Sequence, residues 1–331
     1  MNGETASVAP DTDEESDNGG ASVAPDTDEE SDNGGDVESG TNAHEANAHE
    51  ANAHEADAHE ADMTETDTPD TAAEEIHADG DTFAALDALL MHPPVYGARA
   101  AFYYEDIESG VSYSYNADEI MYSASLIKLP FALSLLWENE DHDRGFDGIF
   151  TYTGAEYAYG SGEIKFSPAG STYTYLELME YMLRVSDNVA FAVLRDKYGT
   201  ERYFDFARSI GADSLYADDG RTVKTRDGGK ILKSAYNYIE GDCAFSAQIK
   251  DAMCSSVHTV MLSPGLSGKE IARKYGWDYG AYHDMGIVYD AHPYVIVFLS
   301  DMDSGYGYVN AYISSVAAEA DAAHASLRQD G

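Results

Sequence analysis

Residues 6–20 recur letter for letter as residues 21–35, and a five-residue unit, Asn/Asp-Ala-His-Glu-Ala, then repeats four times from Asn42 to Ala61. Repeats this short and this poor in large apolar side chains build no core, so nothing offsets the chain entropy that ordering would remove. Residues 1–82 also hold 26 acidic side chains and no lysine or arginine, and like charges push such a segment open. Residues 1–81 are therefore expected to be a disordered, acidic, low-complexity tail, which confines any packed fold to residues 82–331. His44, His49, His54 and His59 stand at five-residue intervals in that tail. On a helix this spacing turns each ring about 140° past the last, whereas two ligands on one face need a spacing of three or four. They read as part of a solvated spacer, and no metal site is expected.

The formal net charge of the whole chain is -42. Clustered cations, which phosphate contacts require, are lacking, so nucleic acid is not expected as a partner. No run reaches the roughly 18 apolar residues of a spanning helix. Met1 is followed by acids instead of a basic stretch and an apolar core, so no signal peptide is visible. Cys243 and Cys254 are the only cysteines and read as lying on one helical stretch, about 16 Å apart. A disulfide needs under about 7 Å, so both are expected as free thiols.

From Asp81 the texture changes. Phe83, Leu86, Leu89 and Leu90 make a helical stripe, capped by Asp81 or Thr82 and ended by Pro93 and Pro94. Ala98–Tyr104 and Val111–Tyr115 read as a hairpin. Ser125–Trp137 is apolar on every side and must lie at the centre of the fold. Helices are predicted over Tyr175–Arg184, Asn188–Tyr198, Glu201–Ile210, Gly228–Ile239 and Ser246–Val257. Strands follow over Ala272–Trp277, His283–Tyr289 and Tyr294–Ser300, and a helix over Tyr308–Leu327 closes the chain. Strands at both ends with helices between predict an α+β fold: one antiparallel sheet built from both ends of the domain, flanked by helices and carrying an all-helical subdomain.

The central helix carries a contradiction, because Lys128 lies inside it, one turn after Ser125. Burying an unpaired ammonium costs several kcal/mol, so such a lysine is either paired or partly deprotonated. Residues three apart share a helix face, which brings the amine within reach of the hydroxyl. A neutral amine beside a hydroxyl is a general base beside a nucleophile, at a helix start that favours developing negative charge. Taken alone, the pair also fits a serine that caps the helix and a lysine that reaches solvent. A second signal is Ser186-Asp187-Asn188 between two predicted helices, which alone could be a simple cap. A third is Lys274-Tyr275-Gly276-Trp277 at the end of a predicted strand, where a cation and a glycine suit an extended, carboxylate-bearing substrate.

In this order the three segments resemble S-x-x-K, S-D-N and K-T-G, the set of the serine β-lactamase and penicillin-binding protein family, class A β-lactamases above all. The resemblance spans roughly residues 83–328. It implies Ser125 as the acylated nucleophile, Lys128 as its base and Ser186 as a proton relay to the leaving nitrogen. It further implies that Asn188 holds the substrate's amide side chain and that Lys274, beside Gly276, meets a substrate carboxylate. The backbone N–H groups of Ser125 and Trp277 would then form an oxyanion hole. Neither metal nor organic cofactor is implied, and the partner is a small β-lactam or cell-wall peptide taken by a monomer.

Two departures stand out. Tyr275 replaces the small hydroxyl residue of the third motif, so it either crowds the carboxylate site or offers a phenol there. The Glu-x-x-Leu-Asn stretch that activates the deacylating water in class A enzymes is absent between Asn188 and Ser246. Asp213, Asp218 and Asp219 are the only carboxylates on the short segment in its place, and each reads as a solvated loop charge. The expected activity is thus β-lactam ring opening through an acyl-enzyme, slowed at deacylation. The alternatives are a D,D-peptidase-like enzyme on cell-wall peptides and a catalytically idle cell-surface binding protein. By resemblance the expected location is extracellular.

Overall fold

The computed structural model describes residues 76–77, 82–137, 145–216, 220–241, 243–302 and 307–329. The repeats, the four tail histidines, Asp218 and Asp219 lie outside the described residues. Strands β2 (Ala100–Asp106) and β3 (Val111–Tyr115) come from the start of the domain, and β8 (Glu270–Asp278), β9 (Ala281–Tyr289) and β10 (Tyr294–Ser300) from its end. They form one antiparallel sheet in the order β3-β2-β10-β9-β8, with the short strand β1 (Ile76–His77) added parallel to β3. Val297 pairs with Tyr103 on one side and Met285 on the other, which fixes the register at the middle of the sheet.

Period-two alternation sends successive side chains to opposite faces, and here both faces are covered. Ala101, Tyr103, Val295, Val297 and Leu299 face the helical lobe. Phe102, Tyr104, Ile296 and Phe298 face α1 (Ala84–Leu90) and α8 (Gly307–Leu327), in a second apolar cluster. This accounts for strands β2 and β10 being buried at every position. A fully covered sheet reads as a continuous apolar run.

Between the two strand groups lie α2 (Lys128–Trp137), α3 (Tyr175–Arg184), α4 (Asn188–Tyr198), α5 (Glu201–Ser209), α6 (Thr225–Glu240) and α7 (Ser246–Cys254). Helix α6 lies hard against the sheet because Gly228 and Gly229 have no side chain. A Cβ at Gly229 would stand 2.4 Å from the Tyr103 ring, and one at Gly228 2.8 Å from Val297. Two small sheets complete the lobe: β4 (Met121–Tyr122) with β7 (Thr222–Val223), and β5 (Ile149–Thr151) with β6 (Thr172–Thr174).

The α+β class and the helical lobe are as expected, with differences in detail. Helix α1 starts after Phe83 and has no side-chain cap, so Thr82 does not fill the predicted role. The first turn of the central segment, Ala124–Ile127, is 3₁₀, and α-helix begins only at Lys128. Cys243 lies in an exposed turn before α7 instead of on a helix with Cys254, and both thiols are free. Among the described residues no helix is long and apolar enough to cross a membrane.

Candidate active site

The tight turn that carries Ser125 is held from two sides. The Ser123 N–H donates to the Arg221 carbonyl at 2.7 Å, which ties the turn to the chain entering β7. The buried His283 of β9 lies 2.7 Å from the Tyr122 carbonyl through Nε2, and its Nδ1 lies 3.1 Å from the Ser300 N–H. That pattern assigns the proton to Nε2, since Nδ1 must accept. Burial lowers the pKa of the ring to about 4, so it stays neutral. Ala124 takes φ +45°, a strained conformation for a residue with a Cβ. Ser125 is partly exposed on this turn, and among the described residues none hydrogen-bonds to its hydroxyl.

Lys128 is 2% exposed, one turn on. Its Nζ lies 2.6 Å from the Ser186 carbonyl, 3.2 Å from Ser186 Oγ and 2.5 Å from Asn188 Oδ1. Desolvation lowers its pKa to about 7, with the nearby Asp187 opposing. The amine is therefore buried and shifted as expected. Its hydrogen bonds, however, go to the S-D-N segment and not to Ser125.

Ser186 sits between α3 and α4 at φ +55°, fully buried. Its Oγ stands between two amines, Lys128 Nζ at 3.2 Å and Lys274 Nζ at 3.0 Å. Asp187 caps α4, its Oδ1 accepting from the Ala190 N–H at 3.0 Å. Its Oδ2 accepts from the N–H groups of Glu163 and Ile164 at 2.6 and 2.9 Å, which fastens a long loop beside the site. That approach requires glycine at 162, at φ +120°, where a Cβ would fall 2.4 Å from Asp187 Oδ2. Asn188 donates from Nδ2 to the Tyr159 carbonyl at 2.5 Å while receiving Lys128 on Oδ1. The predicted cap role of S-D-N is thus real for Asp187, and the same three residues also gather both lysines.

Strand β8 ends the sheet, so half of its backbone groups face away from β9. Gly276 is where it meets the Ser125 turn: a Cβ there would come 3.0 Å from Leu126 Cγ and 3.1 Å from the Ser123 carbonyl. Any side chain would push the strand from the turn. Lys274, expected as a cation at the strand edge, has no exposed surface. Its Nζ lies 3.0 Å from Ser186 Oγ, 2.7 Å from the Tyr275 carbonyl and 4.3 Å from the centre of the Tyr275 ring. Burial, then the charge of Lys128, pulls its pKa well below the ordinary value. The Tyr275 hydroxyl reaches back to the Val185 carbonyl at 3.4 Å. The other side of its ring is stacked on His258 at 4.5 Å.

A cleft of about 680 Å³ opens over this assembly, with Ser125, Lys128, Asn188 and Trp277 in its walls. Its rim is aromatic: Tyr122, Tyr159 and Trp277 are 43%, 84% and 54% exposed. Ser186, Lys274 and Gly276 adjoin it from behind. The structure therefore brings all seven predicted site residues to one place. Asp213, by contrast, is paired with Lys224 at 3.3 Å and lies away from the cleft. Sequence reasoning missed the loop Tyr159-Gly160-Ser161-Gly162, whose carbonyls at 159 and 161 receive Asn188. Its only sequence signal was two glycines in a polar stretch. It also missed Arg195 and Phe191, which follow Asn188 along α4 into the cleft wall.

Comparison with known proteins agrees with this architecture. No curated protein matches the chain in sequence. Among solved structures, a substituted form of PBP-A, an acyl-enzyme complex with penicillin G, aligns with TM-score 0.67 at 20% identity, covering 76% of this chain and 98% of that one. The β-lactamase of Sphaerobacter thermophilus aligns at 0.65 and 16% identity, over 72% and 96%. A class A β-lactamase described as the last common ancestor of Gram-negative bacteria aligns at 0.64 and 20%, over 73% and 99%. At these identities the likeness speaks for the fold alone. The family model described as the Beta-lactamase enzyme family matches residues 84–323, across the sheet, the helical lobe and the cleft, and the chain belongs to that family.

Proposed function

We propose that the protein is a serine acyl-transferring hydrolase that opens β-lactam rings through an acyl-enzyme on Ser125. One observation carries the reading: the Ser186 hydroxyl stands between two buried amines, Lys128 and Lys274, directly behind a cleft in which Ser125 is free to react. As an ammonium, Lys128 gives three N–H groups to its three oxygen partners. Once deprotonated it keeps two for the Ser186 carbonyl and Asn188 Oδ1, and its lone pair can take a hydroxyl proton. Its pKa of about 7 makes that form abundant at neutral pH.

In the proposed step Ser125 Oγ bonds to the lactam carbonyl carbon as its proton passes to Lys128. The charge on the carbonyl oxygen is met by the N–H groups of Ser125 and Trp277. The C–N bond then breaks, Ser186 gives its proton to the nitrogen, and a neighbouring amine restores it. Among the described residues the one carboxylate in the cleft wall is Asp278, which accepts from the Tyr122 hydroxyl at 3.1 Å on the rim. That favours a lasting acyl-enzyme, and with it a second reading: a penicillin-binding, D,D-peptidase-like enzyme on cell-wall peptides. Either reading goes with a location outside the cytoplasm, which cell fractionation tests.

Intact-mass spectrometry after incubation with penicillin G and, separately, its methyl ester decides. The expected result is a gain of one whole ligand mass on the peptide bearing Ser125, absent in Ser125→Ala. A lasting adduct with negligible turnover favours the peptidase-like reading, and rapid turnover of a chromogenic cephalosporin favours the lactamase. No adduct from either compound and no turnover would leave a binding protein on a hydrolase fold.

A further inference from the structure

The cation that the third motif supplies is not open to the cleft. Lys274 has no exposed surface and both of its hydrogen bonds are internal, to Ser186 Oγ and the Tyr275 carbonyl. The Tyr275 ring lies 4.3 Å from its amine and is itself only 6% exposed. Its hydroxyl spans to the Val185 carbonyl at 3.4 Å. His258 backs the ring at 4.5 Å, and Trp277 and Tyr282 lie about the same imidazole at 6.0 and 6.4 Å. The ring is therefore wedged in place and not a tip that swings aside.

The charges next to Tyr275 on the sheet are buried and face each other. Asp284, fully buried, pairs with Arg273 at 2.7 Å and accepts from the Leu262 N–H at 3.2 Å. A substrate carboxylate entering here would have to displace an aromatic side chain, lose its own water and lie near a buried acid. Meanwhile Tyr122, Tyr159 and Trp277 offer flat apolar faces on the open rim, which suit planar groups, and the exposed cations of the cleft wall are Arg195 and Arg221.

We infer that Tyr275 is a specificity-determining residue that seals Lys274 from the cleft, so that the site takes acyl donors without a carboxylate beside the scissile bond: neutral lactams, esters or thioesters bearing flat apolar groups. This rests on acylation of Ser125, as proposed above. The covalent step is unchanged: the Ser125 Oγ–carbonyl carbon bond forms, the bond to the leaving nitrogen, oxygen or sulfur breaks, and the serine proton reaches that leaving atom by way of Lys128 and Ser186. Lys274 then acts on Ser186 and not on the substrate.

Penicillin G and its methyl ester differ only in the carboxylate and make a matched pair of probes. The observable is the rate of Ser125 adduct formation followed by intact mass. The wild-type protein should acylate with the ester at least as fast as with the free acid. Tyr275→Thr, which uncovers the amine, should shift the acid-to-ester ratio toward the acid by roughly 10- to 100-fold, the range of a charge-assisted hydrogen bond. Tyr275→Phe keeps the ring and should keep the wild-type ratio. A wild-type preference of tenfold or more for the free acid overturns the inference without recourse to any variant. So does a ratio that Tyr275→Thr leaves unmoved, or that Tyr275→Phe moves as far as Tyr275→Thr. Absence of both adduct and turnover with either compound sinks the acylation reading itself, a result distinct from all of these.

Discussion

Each wall of the cleft contributes one lysine, and both amines reach the same Ser186 hydroxyl, yet they stand differently toward the substrate space. Lys128, on the helical wall, is buried but forms part of the cleft surface beside Ser125. Lys274, on the strand wall, is equally buried, packs against the Tyr275 ring at 4.3 Å and forms no part of that surface. Burial lowers the pKa of both. In the reading proposed above, what separates their roles is whether the amine reaches the open space. An amine at the cleft surface can act on a bound substrate, whereas an amine with no open surface can act only on the hydroxyl it touches.

The largest test of that contrast is to remove each amine in turn. Lys128→Met should slow Ser125 acylation by the penicillin ester by about 10³-fold, within the range seen for a general base. Lys274→Met should cost about tenfold, because Ser186 keeps one amine and no substrate contact is lost. Time-resolved intact mass gives both rates. Equal losses would break the comparison and place Lys274 in contact with the substrate.

Gly276 joins the two walls, and its substitution is the next effect in size. Gly276→Val puts carbons where 3.0 Å separates the Cβ position from Leu126 Cγ and 3.1 Å from the Ser123 carbonyl. Overpacking of this kind costs about 1–3 kcal/mol of stability. Because it shifts the Ser125 turn against Trp277, acylation should fall about 100-fold, more than the stability loss explains. Thermal unfolding and acylation rate on the same sample separate the two losses. A variant that is destabilised but acylates normally would show that the strand wall does not set the geometry at Ser125.

Much of the fold was legible because its signals are local. The continuous apolar runs of β2 and β10, the capping-box helix at Tyr175–Arg184 and the helix over Asn188–Tyr198 all report a covered sheet or a periodic face. The site was legible in its polar residues for a different reason: an isolated lysine in an apolar segment demands a partner. What stayed hidden depends on contacts distant in sequence. Nothing near Lys274 in the chain says that Tyr275 will turn back to Val185, 90 residues earlier. The two-residue strands that tie Tyr122 to Thr222 carry no periodicity at all. The 3₁₀ start of the central segment was missed too: it follows a tether from Ser123 to Arg221, 98 residues on, of which the local composition carries no sign.

The pH dependence of acylation sharpens the same contrast, with a smaller effect. If Lys128 is the base, acylation by the uncharged ester should rise with pH and level off, with its midpoint at about 7. Protonation below that value removes the lone pair that takes the serine proton. The slope is at most tenfold per pH unit on the acid side. Lys274→Met should leave the midpoint in place or move it slightly upward, since a neighbouring positive charge disfavours a second one. A profile that stays flat from pH 6 to 8 removes Lys128 from the role of base.

The smallest effect concerns stability, and it again sets one wall against the other. His283 supports the Ser125 turn through Tyr122, and His258 backs Tyr275 on the strand side. Burial lowers both to about 4, below the ordinary histidine value near 6.5. Between those two pH values the unfolded chain binds protons that the folded chain refuses, so stability is full above about pH 6.5 and declines as the pH falls toward 4. For His283, which is fully enclosed, the loss from pH 7 to pH 5.5 comes to about 1 kcal/mol; for the partly solvated His258 it is smaller. Urea unfolding of His283→Gln and His258→Phe at the two pH values measures each share. His283→Gln should flatten the decline more than His258→Phe does. The reverse order would mean that the ring behind Tyr275, and not the support beneath Ser125, is the more tightly sealed part of the site.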